Sequence, residues 1–193
     1  MELPLDFTRQ YTYADYLTWA DDRMREPVNG FVGLMSPGQS RRHQQVSREL
    51  EYRLLSHVKK HKGECQIFDA PFDVRLPQKG EKEDHKINTV VHPDLCVICD
   101  HDKLDEKGCL GAPDMVVEIQ SPSTARYDLR EKFDLYQDAG VREYWVVYQD
   151  KAADVFILQA DGKYDRGTFY QIHQSIPVHV LEGCHIRLQD IFL

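Results

Sequence analysis

The chain has 193 residues, 41% of them hydrophobic and 29% charged, with 24 Lys and Arg against 32 Asp and Glu for a formal charge of -8. Length and an ordinary apolar fraction predict a single domain over residues 1–193 with a buried core, and exclude disorder as the default state. The acidic sum excludes a general positive coat for nucleic acid or membrane, so any polyanion must be met locally.

Thr12 caps a short predicted helix running to Trp19, with Tyr13, Tyr16 and Leu17 on its apolar side. Asn29-Gly30, between Val28 and the apolar stretch 31–35, predicts a two-residue hairpin turn because both positions tolerate a positive φ. Residues 40–61 contain neither Pro nor Gly and repeat Val46, Leu50, Leu54 and Val58 every four residues, the pattern of a long amphipathic helix that Gly63 ends. Residues 65–76 alternate apolar and polar side chains around Pro71 and read as an edge strand or a bulged hairpin arm. A charged loop, 77–88, follows. Residues 90–99 and 114–120 are apolar and rich in β-branched side chains, as in strands buried on both faces. Between them, 101–112 is polar, with room for a brief helical turn. After Ser121-Pro122-Ser123-Thr124, residues 126–139 have helical spacing, and Gly140 stands at the C′ position. Strands over 143–148, 154–159 and 164–172 lead to a tail, 176–193, whose apolar end docks on the body. This order predicts an α/β fold with a central mixed β-sheet flanked by helices.

Residues 1–10 lack the basic start and apolar stretch of a secretory leader, and no apolar run approaches the roughly 18–20 residues of a membrane span. A cytoplasmic protein without membrane contact is expected. Five cysteines, an odd number in a chain too long to need a disulfide scaffold, fit free thiols in a reducing compartment. Cys96-x-x-Cys99 with His101 and Cys109 has partial zinc spacing. Strand residues three apart point to opposite faces, however, so packing is the stronger reading.

Phosphate loops, dinucleotide fingerprints, nucleophile elbows and H-E-x-x-H motifs are all missing from the sequence, which removes the main support for four common enzyme classes. What remains is acidic. Asp94 follows Pro93 at the head of one buried run and Glu118 lies inside another, where an unpaired carboxylate costs several kcal/mol. If those strands are neighbours, the two acids can converge on one hard divalent cation, with Gln120 on the same face as Glu118. Asp128, Lys132 and Tyr136 form a stripe on the following helix, so Lys132 can supply positive charge to the pair.

At these residues the sequence resembles a known family. His92-Pro93-Asp94, the run from Gly111 through Glu118 to Thr124, Asp128, Lys132, Tyr136, Gly140-Val141 and Glu143-Tyr144-Trp145 look like the Uma2 (DUF820) endonucleases, of the restriction-endonuclease-like, PD-(D/E)XK superfamily. The resemblance covers nearly the whole chain. It implies a nuclease that hydrolyses DNA with Mg2+ or Mn2+ held by Asp94 and Glu118. It departs from the superfamily at Gln120, where the lysine usually stands; Lys132 matches the helix-borne substitute, and Glu26 and His43 match further polar positions near the site. Arg41-Arg42, Lys59-Lys60, Arg126 and Arg130 are the local cations available to a DNA backbone. A homodimer with two sites is an expected assembly. The rival reading is a catalytically silent nuclease-fold module that binds nucleic acid or a protein, motivated by Gln120 and the net acidity.

Overall fold

The computed structural model describes residues 6, 8–19, 25–34, 40–78, 80–120 and 128–192. Short-range signals account for the first elements. Thr12 Oγ1 accepts from Asp15 N, and Asp15 accepts from Thr12 N, a capping box that starts α1 (Tyr13–Tyr16). Asn29 and Gly30 take φ of 50° and 84° and turn β1 (Arg25–Val28) back along β2 (Phe31–Leu34). Ser40 caps α2 (Arg41–His61) by accepting from His43 N. That helix ends at left-handed Lys62, one residue before the expected Gly63, whose N–H closes back on Val58 O at 2.9 Å.

Two expected strands divide at prolines. Residues 65–76 split into β3 (Gln66–Asp69) and β4 (Val74–Arg75), and 90–99 into β5 (Val90–Val91) and β6 (Leu95–Ile98); in each case the halves join different sheets. Pro71 and Pro93 have no N–H for a ladder, so neither run can continue in one sheet. A 3-10 turn (His101–Lys103) and the small strands β7 (Leu104–Asp105) and β8 (Gly108–Leu110) occupy the polar segment. Then come β9 (Met115–Gln120), α3 (Asp128–Ala139), β10 (Glu143–Tyr148) and β11 (Ala152–Ile157). The return strand β12 (Thr168–Gln171) starts later than the expected residue 164, and Tyr164 makes only an isolated bridge to Leu158. Asp165 Oδ1 accepts from Ile157 N and Gly167 N, which holds the chain in a turn until the ladder resumes. A final pair, β13 (Ser175–Pro177) and β14 (His185–Arg187), precedes a last 3-10 turn.

The main sheet has the order β12-β11-β10-β9-β6-β3, with β9 and β10 parallel and the other pairs antiparallel. Parallel neighbours need a crossover, and α3 is that crossover. Helix α2 covers one face, where Val46, Leu50 and Leu54 pack with Leu95, Val117 and Trp145, joined by Ile176 and Ile191 of the tail. The opposite face packs Cys96, Val116, Tyr144 and Val146 against Tyr136 of α3 and against Val74 and Cys109 of a second sheet, β5-β4-β8-β7. Both faces of β9 are therefore covered, and all six of its residues are buried.

The thiols differ from expectation. One step beyond the Gln66↔Ile98 pair, β3 and β6 bring Cys65 opposite Cys99, and the two are joined in a disulfide; Cys96, Cys109 and Cys184 are free and buried. Cys99 is thus no thiolate for a metal. Among the described residues no helix is long and apolar enough to cross a membrane.

Gly108 has φ 121° and a Cβ there would lie 2.3 Å from Asp73 O, whereas at Gly80, with φ 74°, a Cβ would have nothing within 4 Å. Urea unfolding should therefore show Gly80→Ala losing about 1 kcal/mol from the backbone alone and Gly108→Ala losing more than about 2 kcal/mol. Equal losses would contradict this packing of β8 on Asp73.

Candidate active site

The register that pairs Leu95 with Val117 places Asp94 opposite Glu118 one step further, so both carboxylates lie on the same side of the sheet. Both are buried, at 9% and 4% exposure. Ile119 N donates to Asp94 Oδ2 at 2.7 Å, and His43 Nε2 lies 3.0 Å from the same oxygen. His43 stands in the first turn of α2, where the Ser40 cap holds its backbone; its Nδ1 is buried with no partner among the described residues.

Helix α3 delivers the opposite charge. Lys132 Nζ donates to Glu118 Oε1 at 2.8 Å, and Tyr136 OH, one turn on, donates to the same oxygen at 2.7 Å. The β1–β2 hairpin brings Glu26 into the same group, with Oε2 at 3.8 Å from Lys132 Nζ and Oε1 accepting from His92 N at 2.7 Å. Burial pushes the Glu118 carboxyl up to about 7: the Lys132 charge opposes the rise, while Asp94 and Glu26 add to it. Burial also works against charge on Lys132, but Glu118 and Glu26 outweigh it and hold the ammonium above its usual range. For Glu26 burial again opposes the charged form, and Lys132 with His92 pulls the carboxyl below its usual range.

Behind Glu26 lies a further polar layer. His92 Nε2 meets Asp73 Oδ1 at 2.9 Å, Tyr13 OH donates to Asp73 Oδ2 at 2.9 Å, and Tyr16 OH is 3.2 Å from His92 Nε2. Burial disfavours the imidazolium, yet the Asp73 and Glu26 carboxylates raise His92 to about 9. Three dispersed segments, α1, residues 73–75 and residues 92–94, are thereby tied to the hairpin that carries Glu26.

Of the residues singled out in the sequence, Asp94, Glu118, Lys132, Glu26 and His43 are joined by direct contacts or by the Asp94–Glu118 register. Gln120 is buried two residues beyond Glu118 on the same face of β9. The side chain of Asp128, together with Ser121, Ser123, Thr124 and Arg126, lies outside the described residues. Arg41-Arg42 adjoin His43, whereas Lys59-Lys60 fall in the last turn of α2, roughly 24 Å further along at 1.5 Å per residue, and cannot serve the same spot. Tyr136, His92 and Asp73 were not expected as site groups. Tyr136 had a signal, since it sits four residues after Lys132 on the same helical stripe; the His92–Asp73 contact lies one step beyond the Val74–Val91 pair of β4 and β5, a pairing that no local pattern reveals.

Asp94 and Glu118 offer carboxylate oxygens, the donor class that a hard divalent cation takes. Among the described residues no group of three or more His, Cys, Asp or Glu side chains is placed to hold a metal ion. Without such an ion, Lys132 is the charge that balances buried Glu118. Lys132→Met should lower the unfolding free energy of the metal-free protein by about 3–5 kcal/mol, and adding Glu118→Gln should restore part of it. A Lys132→Met variant with the wild-type denaturation midpoint would contradict that balance.

The model of the Uma2 family, described as "Putative restriction endonuclease", matches residues 13–189. The uncharacterized protein slr1290 of Synechocystis sp. is 30% identical over 126 residues, 63% of this chain, and the match spans 60% of that relative's length. A crystal structure titled as a "putative nuclease belonging to DUF820", from Anabaena variabilis, has the same fold, with a TM-score of 0.71 at 18% identity over 94% of this chain and 97% of that one. A family match that runs from the first helix to the last turn around the Asp94, Glu118 and Lys132 cluster has one consequence: the chain belongs to the Uma2 family.

Proposed function

We propose that this protein is an endonuclease that hydrolyses phosphodiester bonds of DNA with Mg2+ or Mn2+ bound at Asp94 and Glu118. The observation that carries the reading is the pairing of Lys132 with Glu118 beside Asp94, in a chain whose family is described as "Putative restriction endonuclease". Restriction-endonuclease-like proteins generally use divalent ions. Such an ion, when bound, polarises the phosphate and lowers the pKa of a water.

The chain's own groups then have definite tasks. Ile119 N and His43 fix the orientation of Asp94 through Oδ2. Tyr136 and Lys132 fix Glu118 through Oε1. Lys132 sits between the carboxylates of Glu118 and Glu26 and acts as a hydrogen-bond donor and positive charge: it orients the attacking water or stabilises the charge that develops on the phosphate. Gln120, next along the same face, braces that water or a ligand oxygen. A homodimer would present two such sites to the two strands of a duplex.

Gln120, at the place of the superfamily's usual lysine, and the net acidity of the chain favour a silent module. Plasmid cleavage separates the readings. The purified protein should cut plasmid DNA with Mg2+ or Mn2+ and stop on chelation; Asp94→Ala and Glu118→Ala should abolish cutting, and Lys132→Met should slow it about 10²–10³-fold. Unchanged cleavage by either alanine variant would overturn the assignment, and DNA binding without cutting under every divalent ion would favour the silent module.

A further inference from the structure

A cationic groove lies at the start of α2, next along the chain from His43. Arg41 and Arg42 open α2 immediately before His43, which touches Asp94. Lys151 closes the three-residue loop, 149–151, that joins β10 to β11. Two links bring these segments together: Ser40 Oγ lies 3.5 Å from Gln149 Oε1, and Gln149 N donates to Gln120 O at 3.3 Å. Arg41, Arg42 and Lys151, with the apolar Val46, Ile191 and Phe192, line a groove of about 300 Å³. All three cations are exposed, and none has an ion-pair partner among the described residues. Asp150, in the same loop, does not line the groove. Gln149, at 9% exposure, also has its Nε2 without a partner among the described residues, a further N–H donor at this corner.

The backbone of Lys151 adds an independent reason to connect the groove with a ligand. Its φ is 77°, in the left-handed region. The last residue of a three-residue hairpin loop commonly adopts that conformation, and glycine or asparagine does so at least cost. A lysine here strains the backbone, and its side chain gains no hydrogen bond or ion pair among the described residues. What it does supply is a third charge around the groove, in a chain whose formal charge is -8.

We propose that this groove holds the phosphates of a nucleic-acid strand leading to the Asp94–Glu118 site, and that Lys151 occupies its strained position for that contact. The proposal rests on the nuclease reading. Groups carried by the same helical turn as His43 would meet the backbone within a few nucleotides of the bond that is cut, and exposed cations of this kind contribute the salt-dependent part of DNA affinity.

The test is fluorescence anisotropy of a short fluorescein-labelled DNA duplex in EDTA, over a range of salt. Lys151→Gly, and the pair Arg41→Ala with Arg42→Ala, should weaken binding about three- to tenfold and lower the logarithmic salt slope by about one for each phosphate left without its cation. Lys151→Gly should at the same time raise the thermal unfolding midpoint, because glycine relieves the left-handed strain; Lys151→Asn is the second variant should the glycine form fold poorly. If the wild type cuts DNA while these variants bind with its affinity and salt slope, the groove is refuted and the nuclease reading stands. If the variants lose affinity while Asp94→Ala still cuts, the groove stands and the catalytic assignment fails. A wild type that binds no duplex in EDTA overturns the groove, and the nuclease reading is then decided by plasmid cleavage with Mg2+ or Mn2+.

Discussion

Glu118 is embedded in a strand covered on both faces, and an ionised carboxylate there costs several kcal/mol unless a cation or strong donors face it. The surrounding architecture meets that requirement. The parallel pairing of β9 with β10 demands a crossover, the crossover is α3, and α3 presents Lys132 and Tyr136 to the same Glu118 oxygen. A different connection between these two strands would leave the carboxylate without its cation. The central feature of the site is therefore a consequence of sheet topology as much as of residue identity.

The remaining acids add to the demand. Asp94 faces Glu118 across the sheet, and Glu26 approaches Lys132 from the hairpin, so one ammonium serves more than one carboxylate. Glu26 is held in turn by the backbone of His92, His92 by Asp73 and Tyr16, and Asp73 by Tyr13. Breaking any link in this network exposes the next buried charge, which makes the cluster stiff and keeps the carboxylates of Asp94 and Glu118 oriented. The local excess of carboxylate over ammonium is also what a divalent cation would relieve. Negative charge that argues against DNA binding over the whole chain becomes, at this point, charge that a divalent cation held by Asp94 and Glu118 would offset.

Much of the fold was legible in the sequence because its signals are short-range. The Thr12–Asp15 capping box, the Asn29-Gly30 turn, the four-residue repeat of α2 and the largely apolar β9 each act within a few residues of their cause. The prolines were visible too, but not that Pro71 and Pro93 divide runs between two sheets, since sheet membership depends on distant partners. The Cys65–Cys99 bond escaped for a related reason: it follows from the β3–β6 register, and counting cysteines cannot reveal register. Within the site, Asp94, Glu118 and Lys132 stood out because charge inside or beside apolar periodicity is anomalous. His92 and Asp73 did not, because each lies in a run that reads as a strand and the β4–β5 pairing that brings them together depends on distant partners.

If Asp94 and Glu118 form a divalent site with Lys132 beside it, metal affinity must depend on the two acids and survive loss of the lysine. Calorimetric titration of Mn2+ into the folded protein is the most direct measurement. The account predicts saturable binding to the wild type, loss of that binding in Asp94→Ala and in Glu118→Ala, and retention in Lys132→Met. Equal Mn2+ binding by the wild type and both alanine variants, or no binding by the wild type, would contradict it.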